Sequence, residues 1–151
     1  MDRTELDGRF VPYLMVDGAS AAIDFYARAF GGVERYRLAM PDGNIAHAEV
    51  EIGGGVVYLS EAPDDMPGTG ANPIRLGGTS VMLHRYVPDV DAAVATAEAA
   101  GATVVSAPAD QFYGDRSALV ADPFGHQWSL HTHLRDVSPE EMEAAVKDMT
   151  S

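Results

Sequence analysis

Apolar positions along this chain change their period in an order that occurs twice. Phe10 to Val16 is a short run rich in strand formers, and Ala19, Ala22, Ile23, Tyr26 and Phe30 then follow helical spacing up to Gly31-Gly32. Three strand-like stretches come next, at about 33–40, 44–52 and 55–61, parted by turn residues at Pro41-Asp42-Gly43-Asn44 and Gly53-Gly54-Gly55. The second half starts again at Val81. A strand to Val87 leads to Asp89, a helix cap, and to an Ala-rich helix ending near Gly101. Strands are expected near 102–106, 117–122 and 126–132, with a turn at Asp122-Pro123-Phe124-Gly125. Val16 answers Val87, Ala22-Ile23 answers Ala93-Val94 and Tyr58 answers Ser129, at an offset near seventy residues.

The pattern predicts an α+β fold of two tandem βαβββ modules. Module one covers about 9–61 and module two about 80–134, in a single domain spanning 1–151. Residues 62–79 are rich in Gly and Pro and read as a linker, long enough for the modules to pair within a chain or between chains. Ser138-Pro139-Glu140-Glu141 is a capping box that opens a short C-terminal helix at about 139–149.

Alternation assigns the faces of each sheet. Phe10, Leu14, Val16, Val57, Leu59, Val81, Leu83, Val87, Trp128 and Leu130 are expected on the helix side, an apolar set. Tyr13, Met15, Tyr58, Ser60, Met82, His84, Tyr86, Ser129 and His131 then share the opposite faces, with Val11, Val56 and Gln127. That mixture of aromatic, Met, Ser and His residues suits the lining of a ligand cavity better than a solvated sheet.

Composition narrows the function classes. A net charge of −13 with ten Lys and Arg gives no basic stripe for nucleic acid and none for an anionic membrane. The chain has no Cys, which removes disulfides, thiolate ligands and a cysteine nucleophile. The acidic amino terminus lacks the apolar run of a signal peptide, and no stretch reaches membrane-spanning length, so a cytoplasmic location is expected.

Two groups of residues carry a family resemblance. Val16 to Tyr26 (VDGASAAIDFY), ending in Ala29-Phe30-Gly31, resembles the first-helix signature of the vicinal-oxygen-chelate superfamily, the glyoxalase, bleomycin-resistance and dioxygenase group. Asp110 to Arg116 (DQFYGDR) and Asp122 to Trp128 (DPFGHQW) resemble its PhnB-like branch. The resemblance implies a cupped, open mixed-sheet barrel, usually in a homodimer with one cavity per module pair. Its members include metal-dependent enzymes and metal-free proteins that sequester antibiotics. The family's metal ligands fall at Val11, Tyr58, Met82 and Ser129, which do not supply a His and carboxylate set.

The expected function is therefore metal-independent binding of a small molecule, with no cofactor, through the nine opposite-face residues named above. The alternative is a lyase, isomerase or dioxygenase. It would use a divalent metal displaced onto His84, His131, His47 or Glu49, or His84 and Tyr13 as acid and base. His131-Thr132-His133 is a further possible chelate, although His133 is expected in solvent. His126 is expected to make a local hydrogen bond and Trp128 to lie in the core. Asp115-Arg116 reads either as an ion pair closing its loop or as a presentation of Arg116 to an anion.

Overall fold

The computed structural model describes residues 3–63 and 71–151; the expected linker's 64–70 lie outside them. After a short 3-10 turn at Thr4–Leu6 come β1 (Tyr13–Val16), α1 (Ala19–Phe30), β2 (Val33–Ala39), β3 (Ile45–Ile52) and β4 (Gly55–Glu61). A one-turn helix, α2 (Pro73–Leu76), precedes β5 (Met82–Tyr86), α3 (Val90–Ala100), β6 (Thr103–Asp110), β7 (Asp115–Ala121) and β8 (Gln127–His133). Helix α4 (Pro139–Met149) closes the chain, with both halves of its Ser138–Glu141 capping box formed.

Each βαβββ module builds one four-stranded mixed sheet, ordered β1-β4-β3-β2 and β5-β8-β7-β6. The repeat is kept in register: Tyr13 lies opposite Tyr58, and His84 opposite Ser129, seventy-one positions later in both strands. The helix starts repeat too. Gly18 has no side chain with which to cap α1, so the Glu61 carboxylate at the end of β4 accepts from the amides of Gly18 (2.9 Å) and Ala19 (2.6 Å). Seventy-one residues on, the Thr132 hydroxyl accepts from Val90 N at the start of α3, while Asp89 accepts from Ala92 N.

Helices α1 and α3 pack on each other, so the helix sides of both sheets share one core. Phe30 and Trp128 meet at 4.5 Å between ring centroids, and Tyr26 and Trp128 at 5.5 Å. Trp128 is buried as expected. Asp122 ties the modules together inside this aromatic cluster. Its carboxylate accepts from the Tyr26 hydroxyl (2.7 Å), Trp128 Nε1 (3.0 Å) and the amides of Phe124 and His126 (2.9 Å each). Burial, the Asp122 charge and this hydrogen bond push the Tyr26 phenol well above its ordinary pKa.

The structure corrects several expectations. Phe10 and Val81 are exposed, because both lie just outside the paired part of their strands, where alternation no longer constrains a side chain. The helix-side set is not wholly apolar: Arg85 stands between Leu83 and Val87 and donates to the Phe30 carbonyl at the end of α1 (3.3 Å). A Cβ on Gly53 would come 2.8 Å from the Arg85 guanidinium, so the β3–β4 turn leaves room for this cation. His126 makes the expected local hydrogen bond through its amide, to Asp122 (2.9 Å), and its ring reaches further: Nε2 donates to the carbonyl of Met15, in the other module (2.9 Å). The linker holds a helix, α2, capped by Asn72 with Pro73 at its first position. Arg75 of that helix donates to the Pro63 carbonyl (2.6 Å) and pairs with Asp17 (2.9 Å).

Replacing Asp122 by Ala strands two buried side-chain donors, Tyr26 and Trp128, at the junction of the modules. A loss of about 3 kcal/mol or more is expected, read as a lower urea midpoint. An unchanged midpoint would show that the junction does not depend on this carboxylate.

Candidate functional site

The faces turned away from the helices carry the polar chemistry. On module one, Tyr13 and Met15 of β1 lie beside Tyr58 and Ser60 of β4, and His47 and Glu49 continue the same face on β3. The Tyr13 hydroxyl is 2.9 Å from His47 Nδ1, and His47 Nε2 is 3.2 Å from Glu49 Oε1. Arg3 donates to the same oxygen through Nε (3.0 Å). Burial opposes ionisation of Glu49, but the hydrogen bonds from Arg3 and His47 prevail and hold its pKa below the ordinary value. An ionised carboxylate only accepts, so His47 donates from Nε2, and its Nδ1 accepts the hydrogen bond of the Tyr13 hydroxyl. Tyr58 meets the rings of Tyr13 and His47 edge-on, at 5.9 and 4.8 Å.

Module two repeats the scheme with different residues. His84 and Tyr86 on β5 lie opposite Ser129 and His131 on β8, with Met82 at the head of the strand. His131 is buried, with Nε2 2.9 Å from the Ser129 hydroxyl and Nδ1 3.0 Å from Asp115 Oδ2. The other oxygen of Asp115 lies 2.9 Å from His133 Nδ1, and His133 Nε2 lies 2.8 Å from Asp136. The hydrogen bond from His133 lowers the Asp115 pKa against the pull of burial, aided by His131. His133 faces a carboxylate at each nitrogen and so must donate from both, which raises its pKa. His84 moves the other way. Burial first, and then the neighbouring His131, favours its neutral form, and their ring centroids are 4.0 Å apart.

All nine opposite-face candidates therefore lie on the open faces, four on one sheet and five on the other. His47 and Glu49 belong to the first sheet, and His84 and His131 to the second. Among the described residues no three or more His, Asp or Glu are gathered in a way that could hold a metal ion. His131 and His133 each meet one oxygen of Asp115. The Asp115–Arg116 ion pair does not form either. Neighbours on a strand point to opposite faces, so Arg116 pairs with Asp91 of α3 and with Asp110, at 2.6 and 2.9 Å.

Asp115, Tyr113 and Arg3 were missed as site residues. Asp115 lies in the DQFYGDR motif at the start of β7, where strand alternation, had it been extended there, would have turned it to the face away from Arg116. Nothing local signals Arg3, which reaches Glu49 from the amino terminus. Two clefts, of about 680 and 770 Å3, flank the edge strands β1 and β5. The first lies under α2, between Met15 and Leu83; the second runs from Phe10 and Val56 to Met82, His84 and Tyr86. No helix among the described residues is long and apolar enough to cross a membrane.

The chain is similar to known proteins. Residues 8–130 match the model of the Glyoxalase/Bleomycin resistance protein/Dioxygenase superfamily. An uncharacterized protein of Mycobacterium tuberculosis strain H37Rv is 49% identical over 139 residues, covering 89% of this chain and 80% of its own. The crystal structure of TioX from Micromonospora sp. ML1 superposes with a TM-score of 0.66 at 31% identity, over 83% of this chain and 98% of that one. The X-ray structure of the Arabidopsis thaliana AT5G48480 product also gives 0.66, at 26% identity over 81% and 96%.

The His133 pKa is raised by folding, so its stabilising contribution is complete below the unfolded value of about 6.5 and is lost as pH rises through the folded value. The stability gap between the wild type and His133→Ala is therefore expected to narrow as pH is raised from about 6 to 9. Urea midpoints across that range measure it. A gap that widened with pH would rule out the doubly paired imidazolium.

Proposed function

Because the chain belongs to the Glyoxalase/Bleomycin resistance protein/Dioxygenase superfamily, we propose that it is a metal-independent binding protein for a small, partly aromatic or apolar molecule. The observation that carries this reading is the composition of the two open faces. Each sets aromatic rings around a polar centre whose hydrogens are already committed, Tyr13–His47–Glu49 on one and Ser129–His131–Asp115 on the other. Apolar area supplies affinity, and a few fixed polar groups orient what binds.

The divalent metal used by enzymes of the resembled family does not fit these residues. Its ligand positions hold an alkyl group, a phenol, a thioether and an alcohol, at Val11, Tyr58, Met82 and Ser129. The displaced alternatives are divided between two sheets, and both ring nitrogens of His47 and of His131 are engaged. Sequestration of a toxic or antibiotic compound is the role most in keeping with such a face, and the Asp110–Arg116 and Asp122–Trp128 motifs support a place in the PhnB-like branch.

In this reading a homodimer completes the cup. Tyr13, Met82 and Tyr86 are 50%, 59% and 62% exposed, and an aromatic face of that kind is usually covered. One sheet alone encloses too little of a ligand, whereas the open face of a second copy would supply the opposite wall.

Chelator-treated protein is expected to keep its melting temperature and to raise it with compounds from an aromatic small-molecule library, an effect reduced in Tyr86→Ala. Elemental analysis of untagged protein should find no stoichiometric metal. About one tightly held ion per chain, lost in His84→Ala, would overturn the reading and favour an enzyme with a displaced metal.

A further inference from the structure

The polar centre of module two is ordered as a hydroxyl, an imidazole and a carboxylate in series, which can do more than orient a ligand. The Ser129 hydroxyl lies 2.9 Å from His131 Nε2, and His131 Nδ1 lies 3.0 Å from Asp115 Oδ2. Because the carboxylate accepts, the imidazole proton sits on Nδ1, and Nε2 is left to accept from the hydroxyl. His131 and Asp115 are buried, whereas Ser129 keeps part of its surface on the open face. His133 holds the second oxygen of Asp115 (2.9 Å) and so fixes the carboxylate against His131. An imidazole oriented in this way can draw the proton from a hydroxyl and make its oxygen a nucleophile.

The surroundings suit the same chemistry. His84 is the cross-strand partner of Ser129 on the same face. Its exposed ring stands 4.0 Å from that of His131 and can present an N–H to an oxygen on which charge develops. The rings of Tyr86 and Tyr113 stand 5.9 and 6.2 Å from His131 and offer apolar walls on that side.

We propose that Ser129 is an acylatable nucleophile, activated by His131 and positioned by Asp115, and that the open face of module two transfers acyl groups from small esters with an aromatic or apolar part. The Ser129 hydroxyl proton passes to His131 Nε2 as the oxygen bonds to the ester carbonyl carbon. The bond from that carbon to the alcohol oxygen then breaks, and the alcohol leaves with the proton from His131. Water, giving a proton to the same nitrogen, splits the acyl–Ser129 ester, releases the carboxylic acid and restores the hydroxyl. Water is the only co-reactant.

The full chain is treated in parallel with p-nitrophenyl acetate and with a fluorophosphonate, and the adducts are mapped by peptide mass spectrometry. The expected result is a burst of p-nitrophenolate of about one per chain, with the adduct of each reagent on Ser129. Ser129→Ala should lose the adduct, and both it and His131→Gln should slow the release by about 100-fold. Adducts confined to other residues, or an equal burst from Ser129→Ala, would overturn the proposal. The mapping is done on the wild-type chain, so a variant that failed to fold would not leave the question open. Thermal shifts with the aromatic library test the binding reading separately, since they need no acylation.

Discussion

Four hydrogen bonds converge on the buried Asp122 carboxylate, and they come from both halves of the molecule. Tyr26 approaches from the helix of module one and Trp128 from the last strand of module two, while two amides come from the turn that Asp122 itself begins. A charge buried this deeply is tolerated only where donors surround it. The need to satisfy it fixes how α1 meets β8, and so how the two sheets stand to one another. Arg85 and His126 add to the same junction, each using a side chain of module two to reach a backbone carbonyl of module one.

With the helix sides locked together, the opposite faces are left to solvent or to a partner. That is the origin of the site. A duplicated module brings two such faces, and the duplication preserves positions more than identities. Glu61 and Thr132 do the same work at equivalent places, each near the end of the last strand of its module and feeding an oxygen to the first amides of the helix. The open faces show the same divergence, with a hydroxyl, an imidazole and a carboxylate in line on each but drawn from different strands.

The two lines also differ in their environment. On module one the carboxylate is clamped by Arg3 and the hydroxyl belongs to a phenol within a cluster of rings. On module two the carboxylate is shared between two histidines, one of them neutralising it from the exposed side, and the hydroxyl is a small aliphatic one beside His84. The first arrangement suits recognition of a ring or a polar edge, and the second adds a reactive oxygen to a similar wall.

The element order was legible in the sequence because it depends on local periodicity and on turn residues, which act over a few neighbours. Strand alternation likewise placed Leu14, Val16, Val57, Leu59, Trp128 and Leu130 in the core and the nine candidates opposite them. It failed at Phe10 and Val81, beyond the ends of the ladders, where no neighbouring strand enforces the face. The pairing of side chains was a matter for the tertiary structure. Asp115 looked like a partner for the adjacent Arg116, yet the pleat sends them apart, to His131 and His133 on one side and to Asp91 on the other. The His126 backbone bonds within its own loop, while its ring reaches 111 positions back along the chain. Sequence alone determined which residues could share a face. Only the folded chain decided which of them touch, because a hydrogen bond requires two groups within about 3 Å of each other, and separation along the chain does not set that distance.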